Sequence, residues 1–152
     1  MKNKIFKKGL IAFFIVTLLL VILLVVGPFL IPVSPLEGLR SPEEVAASNS
    51  KFITIPFEGT DGIDIHYLEN GDASSETTFV LLHGSNFNAF TWNEVMGIFD
   101  QYGRVIAYDQ IPYGLSEKLV EGSWTADNPY SPSAAVEQLF SFLDALNIDN
   151  AV

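Results

Sequence analysis

The sequence predicts an α/β fold carried behind a single transmembrane helix: antiparallel first strands, then a parallel βαβ unit. Three observations predict it. A lysine-flanked apolar run fills the amino terminus. The apolar stretch Phe79-Val80-Leu81-Leu82 runs straight into His83-Gly84, and a second one, Arg104 to Asp109, follows after one helix's length of chain. Apolar strand formers in unbroken sequence read as a strand buried on both faces, as in a parallel sheet. In open α/β sheets ligands bind just beyond the carboxyl ends of such strands, which is where Ser85 falls.

Composition narrows the function classes. The chain has 152 residues, room for one domain beside an anchor. Residues 1–31 hold four lysines and no acid. The remainder sets Arg40, Lys51, Arg104 and Lys118 against all 18 acidic residues, a net charge of −14. Such a surface argues against nucleic acid or anionic phospholipid as a partner of the soluble part. There is no cysteine, which removes disulfides, thiolate zinc sites and a cysteine nucleophile. With only His66 and His83 as histidines, a histidine-rich metal site is not expected either, and no cofactor is called for.

Taken in order, residues 1–9 form a basic tail and residues 10–31 a transmembrane helix. Of Leu10 to Val26, 15 residues are Leu, Ile, Phe or Val. At about 1.5 Å per residue the run to Ile31 reaches roughly 33 Å, enough to cross a bilayer core. On insertion scales those side chains supply about −5 to −9 kcal/mol. A cleaved signal peptide would have a shorter apolar core and a small-residue cleavage site, and Gly27-Pro28-Phe29-Leu30-Ile31-Pro32 offers none. The lysines are expected on the cytoplasmic side, which places the acidic domain outside. Residues 32–50, punctuated by Pro32, Pro35 and Pro42, read as a linker, with Ser41-Pro42-Glu43-Glu44 a short helix start.

The domain proper is expected over residues 51–152. Lys51 to Glu58 and Ile63 to Leu68 alternate apolar with other residues and are joined across Asp61-Gly62, an antiparallel pair. His66 falls mid-strand and reads as a structural histidine. Asn88 to Tyr102 carries Phe90, Val95, Ile98 and Phe99 at helical spacing, with Gly103 as a stop. Arg104 to Asp109 then completes strand, helix, strand, hence a parallel sheet. The loop Asp109 to Ser116 lies at the same sheet edge as Ser85. Ser131-Pro132 opens a last helix with Val136, Leu139, Phe140, Leu143 and Leu146 as its apolar stripe, and Ile148 to Val152 begins a third strand.

The order His83-Gly84-Ser85, F-x-x-F-T-W at Phe87 to Trp92, R-V-I-A-Y-D at Arg104 to Asp109 and G-L-S-E-K at Gly114 to Lys118 resembles the amino-terminal half of α/β-hydrolases of the esterase, lipase, epoxide hydrolase and haloalkane dehalogenase type. The resemblance runs from about Phe52 to Val152. It implies a partial α/β-hydrolase sheet and nucleophilic catalysis on an ester-like or other small molecule, with a Ser or Asp nucleophile, a His–acid pair and no cofactor. In that family the residue after His-Gly gives its backbone N–H to the oxyanion hole, a role that falls here on Ser85. His83, Gly84, Asp109, Gly114 and Ser116 match the remaining motif positions. One loop departs from the pattern: Ile111 and Pro112 stand where Asp-x-Pro-Gly-x-Gly-x-Ser has Pro and Gly, and proline cannot take a positive φ.

No G-x-S-x-G occurs, and in this fold nucleophile, acid and histidine all come after the strand that Ala151 and Val152 begin. None of the triad is therefore expected among these residues, and the missing carboxy-terminal half on another chain is one expected partner. The alternative is a non-catalytic anchored binding or assembly module, or a decayed gene product, with a hydrolase-like fold.

Overall fold

The structure, a computed structural model, describes residues 2–31 and 37–152. Linker positions 32–36, with Pro32 and Pro35, lie outside the described residues. The chain divides into two units, Met1–Leu39 and Arg40–Val152.

In the first unit α1 runs Lys2–Leu30, so it takes in the basic stretch as well as the apolar run. Within Lys7–Leu30 the most apolar 18 residues have a mean hydropathy of 3.3, and none of them is buried against protein. A helix apolar all round needs an apolar surrounding, and this one is long and apolar enough to span a membrane.

The second unit is built on a four-stranded sheet in the order β1-β2-β4-β3. A short helix, α2 (Pro42–Val45), precedes it, and Glu44 Oε2 accepts the Ser41 N–H at 2.9 Å. β1 (Ser50–Ile55) and β2 (Ile63–Asn70) pair antiparallel, with Ile53 opposite Ile65. β4 (Arg104–Tyr108) pairs antiparallel with β2 on one side and parallel with β3 (Thr78–Leu82) on the other. Glu69 accepts from Arg104 Nε at 2.7 Å and pairs with Lys51, tying β2 to both neighbours.

The period of two in β4 feeds two cores. Ile106 and Tyr108 join Ile63, Ile65 and Tyr67 of β2 and Phe142 on one face. Val105 and Ala107 join Leu68, Ala89 and Met96 on the other. Helix α4 (Pro132–Ala145) covers the first core. Its start is set by Ser131, whose Oγ accepts the Ala134 N–H at 3.1 Å, and its end by Asn147 at φ 53°, with Ile148 N–H returning to Leu143 O. A 3₁₀ turn (Ala89–Trp92) and α3 (Asn93–Phe99) cover the second core.

Four expectations are corrected. The strand expected to be buried on both faces is less covered than that: Phe79, Val80 and Leu81 are half-buried and Leu82 is 44% exposed. The single helix over Asn88 to Tyr102 is a 3₁₀ turn and two turns of α-helix, and the first N–H, that of Ala89, is capped by Asp109. Within it Met96 is fully buried and Ile98 exposed. On α4 Leu139, Leu143 and Leu146 of the expected stripe pack against the first core, but the fully buried positions are Ala134, Gln138 and Phe142, and Val136 and Phe140 are exposed. Gly103 ends the helical segment by close approach rather than by a left-handed turn, since a Cβ there would overlap the Thr77 carbonyl.

Candidate functional site

Two segments leave the sheet side by side at the carboxyl ends of parallel β3 and β4, and they make the site. From β3 the chain passes through His83, Gly84 and Ser85 to a turn closed by Phe87 N–H on Gly84 O, with Asn86 in the left-handed region at φ 65°. The sharp bend is therefore at Asn86, and a Cβ on Gly84 would meet only the Phe87 ring at 3.8 Å. From β4 the chain passes through Asp109 into the loop ending at Ser116.

His83 bolts the two segments together. Its Nε2 accepts the Gln110 N–H at 3.0 Å, which makes that nitrogen unprotonated, and Nδ1–H donates to Gly84 O at 2.9 Å. Gln110 Nε2 returns a hydrogen bond to His83 O at 2.9 Å. Both ring nitrogens are thus occupied by backbone, and His83 has no lone pair for the Ser85 hydroxyl. Ser85 Oγ meets Tyr113 Oη at 3.3 Å instead. Its N–H has no acceptor among the described residues, and Ser85 lines an open cavity of about 410 Å³ together with His83, Gln110, Pro112, Tyr113 and Ser131.

Asp109 is the hub. Its Oδ1 accepts the Ala89 N–H at 2.6 Å, and Oδ2 accepts the Leu115 N–H at 2.8 Å and His66 Nδ1 at 2.7 Å. Burial pushes its carboxyl up, but the hydrogen bonds from His66, Ala89 and Leu115 outweigh that and hold it below the usual carboxylate range. Gly114, at φ 54°, is where the loop crosses over that carboxylate, and any Cβ there would overlap Asp109 Oδ2. Ser116 Oγ donates to Asp109 O at 2.6 Å and accepts the His66 N–H at 2.8 Å, closing the loop onto β2.

The departure at Ile111-Pro112 resolves into a cis peptide within a turn closed by Tyr113 N–H on Gln110 O at 2.8 Å. A turn with cis proline at its third position needs neither a positive φ nor the proline N–H. The expected motif residues His83, Gly84, Ser85, Asp109, Gly114 and Ser116 all come together here. The reading of residues in isolation missed Tyr113, Gln110 and the pairing of His66 with Asp109. A signal for the last was present: His66 and Asp109 fall on the same face once Tyr67 is set opposite Tyr108. Among the described residues no three His, Asp or Glu side chains converge to hold a metal ion.

Comparison with known proteins bears on the fold that carries this arrangement. No family model matches the chain. It is 26% identical over 117 residues to the 2-hydroxy-6-oxo-6-(2'-aminophenyl)hexa-2,4-dienoic acid hydrolase of Metapseudomonas resinovorans, covering 75% of this chain and 37% of that protein. It is 27% identical over 111 residues to the haloalkane dehalogenase of Agrobacterium fabrum, covering 73% of this chain and 32% of the dehalogenase. Among solved structures, the haloalkane dehalogenase DpaA of Paraglaciecola agarilytica superposes with a TM-score of 0.60 at 26% identity, over 77% of this chain and 40% of that one. The chain carries part of an α/β-hydrolase fold. It spans about a third of the length of the curated relatives it matches. Within that hydrolase fold the described residues hold the first strands, the turn after His-Gly and the loop from Asp109. The hydrogen bonds Val152 N–H to Thr78 O and Val80 N–H to Val152 O, both 2.9 Å, start a further strand on β3.

Proposed function

We propose that this chain is the amino-terminal part of a membrane-anchored, extracytoplasmic α/β-hydrolase that acts on an ester-like or other small molecule by nucleophilic catalysis. In this reading Ser85 contributes its backbone N–H to the oxyanion hole, and the nucleophile and its His–acid pair come from residues beyond these. The observation that carries it is that Ser85, just past the end of β3, lines the cavity and has an N–H without an acceptor among the described residues. Backbone donors aimed at developing negative charge are worth about 2.7–4 kcal/mol of barrier each. His83, with both nitrogens occupied, supports an amide role for Ser85 over a hydroxyl one.

The test compares two substitutions in the catalytically complete protein, with p-nitrophenyl ester turnover as the measurement. Ser85→Ala keeps the N–H and should leave the rate within a few-fold of the parent. Ser85→Pro removes it and should cost ~10²–10³ in kcat. A large loss in Ser85→Ala alone would assign the hydroxyl a role and overturn the amide reading. The 152-residue chain by itself should show no turnover above background, and measurable turnover would place a nucleophile within it.

A further inference from the structure

We propose that His66 is a positioning residue for the Ser85 turn, acting through Asp109 at the inner end of a buried relay that begins at Ser50. The proposal rests on the reading of the Ser85 N–H given above and names what holds that N–H in place.

The relay is continuous. Ser50 Oγ accepts the Ala47 N–H at 3.0 Å and meets His66 Nε2 at 2.8 Å. His66 Nδ1 meets Asp109 Oδ2 at 2.7 Å, with neither side chain exposed. The imidazole is held between the Phe52 and Phe90 rings, at centroid distances of 5.1 and 5.5 Å. Hydroxyl, imidazole and carboxylate thus stand in the order found in nucleophilic sites. Here the arrangement is closed: the Ser50 hydroxyl already carries a backbone N–H and the ring has no exposed surface. Its output is the orientation of the Asp109 carboxylate.

That orientation matters because, among the described residues, few hydrogen bonds tie the turn bearing Ser85 to the loop from Asp109, and the Ser85 Oγ–Tyr113 Oη contact at 3.3 Å is the longest of them. His83 is fastened to Gln110 at its start, and Ala89 N–H to Asp109 Oδ1 at its end. A carboxylate's terminal torsion is soft, and two backbone donors on different loops must each find an oxygen. The His66 bond on Oδ2 selects the torsion that presents Oδ1 to Ala89. Without it the Ala89 pin weakens, and residues 84–88 keep the His83 tether and the long Ser85–Tyr113 contact.

The two ring nitrogens allow a discriminating test. An Asn side chain places a donor where Nδ1 stands, toward Asp109, whereas Gln places one where Nε2 stands, toward Ser50. Amide hydrogen exchange by mass spectrometry is read on peptides covering 84–92 and 104–108, in the full chain held in detergent micelles. His66→Gln should speed exchange in the 84–92 peptide by about tenfold or more, the cost of losing a hydrogen bond to a charged group. His66→Asn should keep it within about threefold of the parent, although it removes more volume. The 104–108 peptide should stay protected in both. Simple core packing predicts the reverse order, because Gln fills the space better. Equal effects of the two variants, Gln milder than Asn, or equal loosening of 104–108 would each overturn the proposal. Exchange is read without turnover, so a failure of the hydrolase reading and a failure of this one are separately visible.

Discussion

At the scale of single residues the site depends on Asp109 more than on any group that faces the cavity. It accepts three N–H donors, and Asn could not replace it: turned either way, the amide NH₂ would oppose a donor from Ala89, Leu115 or His66. Asp109→Asn should therefore cost about 3–5 kcal/mol, as breaking a buried pair does, read by urea titration of tryptophan fluorescence. The pH dependence has a definite sign. The folded state holds the Asp109 carboxyl below its usual range, so its contribution is complete above that range and is lost as pH falls through the depressed value. The acid limb of the unfolding curve should accordingly flatten in Asp109→Asn. An unchanged acid limb would assign the transition to other carboxylates. Tyr108, pushed up to about 12 by burial, is neutral throughout that window.

At the scale of elements, α4 has one face settled and one open. Phe142 is fully buried, stacked on Tyr108 at 4.8 Å and edge-on to Tyr67 at 5.3 Å, whereas Phe140 is 62% exposed. Phe142→Ala should destabilise by about 3–5 kcal/mol, and Phe140→Ala should stay within about 0.5 kcal/mol. Comparable losses would mean that the outer face of α4 is covered after all. For α1 the prediction is orientation. Four lysines just ahead of the apolar run, with Arg40 the first basic residue after it, favour a cytoplasmic amino terminus. A Ser48→Cys variant, at an exposed position after α2, should react with an impermeant thiol reagent in intact cells. Labelling only after lysis would reverse the topology.

At the scale of the whole domain, the weak place of residues 40–152 taken by themselves is the outer edge of β3. Val152 satisfies Thr78 O and Val80 N–H there. By the alternation of a parallel ladder the next groups offered are Val80 O and Leu82 N–H, beside an exposed Leu82 side chain. An apolar open edge is a template for another chain. Residues 40–152 produced alone should self-associate in sedimentation velocity. Leu82→Lys, a charge at the edge, should shift them toward monomer. A sharp monomer for the unsubstituted domain would show that the edge is already protected.

Much of this organisation was legible in the residues themselves. Alternation located β1 and β2, because a pleated strand with one covered face alternates between two environments, and unbroken apolar runs located β3 and β4. Lysines beside an apolar run marked the helix able to span a membrane, because a bilayer core tolerates little else. The turn after His83-Gly84 and the loop from Asp109 fell at the same sheet edge by topology alone. The sequence could not say how far the faces of β3 would be covered, since Phe79 to Leu82 is apolar whether or not a neighbour packs on it. Nor could it fix which phenylalanine of α4 is buried, since Phe140 and Phe142 are equally apolar and only the position of the sheet chooses between them. His66 carries the same lesson for the site. As one letter in a strand it is a core histidine. The antiparallel register of β2 on β4 then brings it onto the one carboxylate that holds both loops, and pairing across 43 positions of sequence is decided by three-dimensional proximity, which no local pattern encodes.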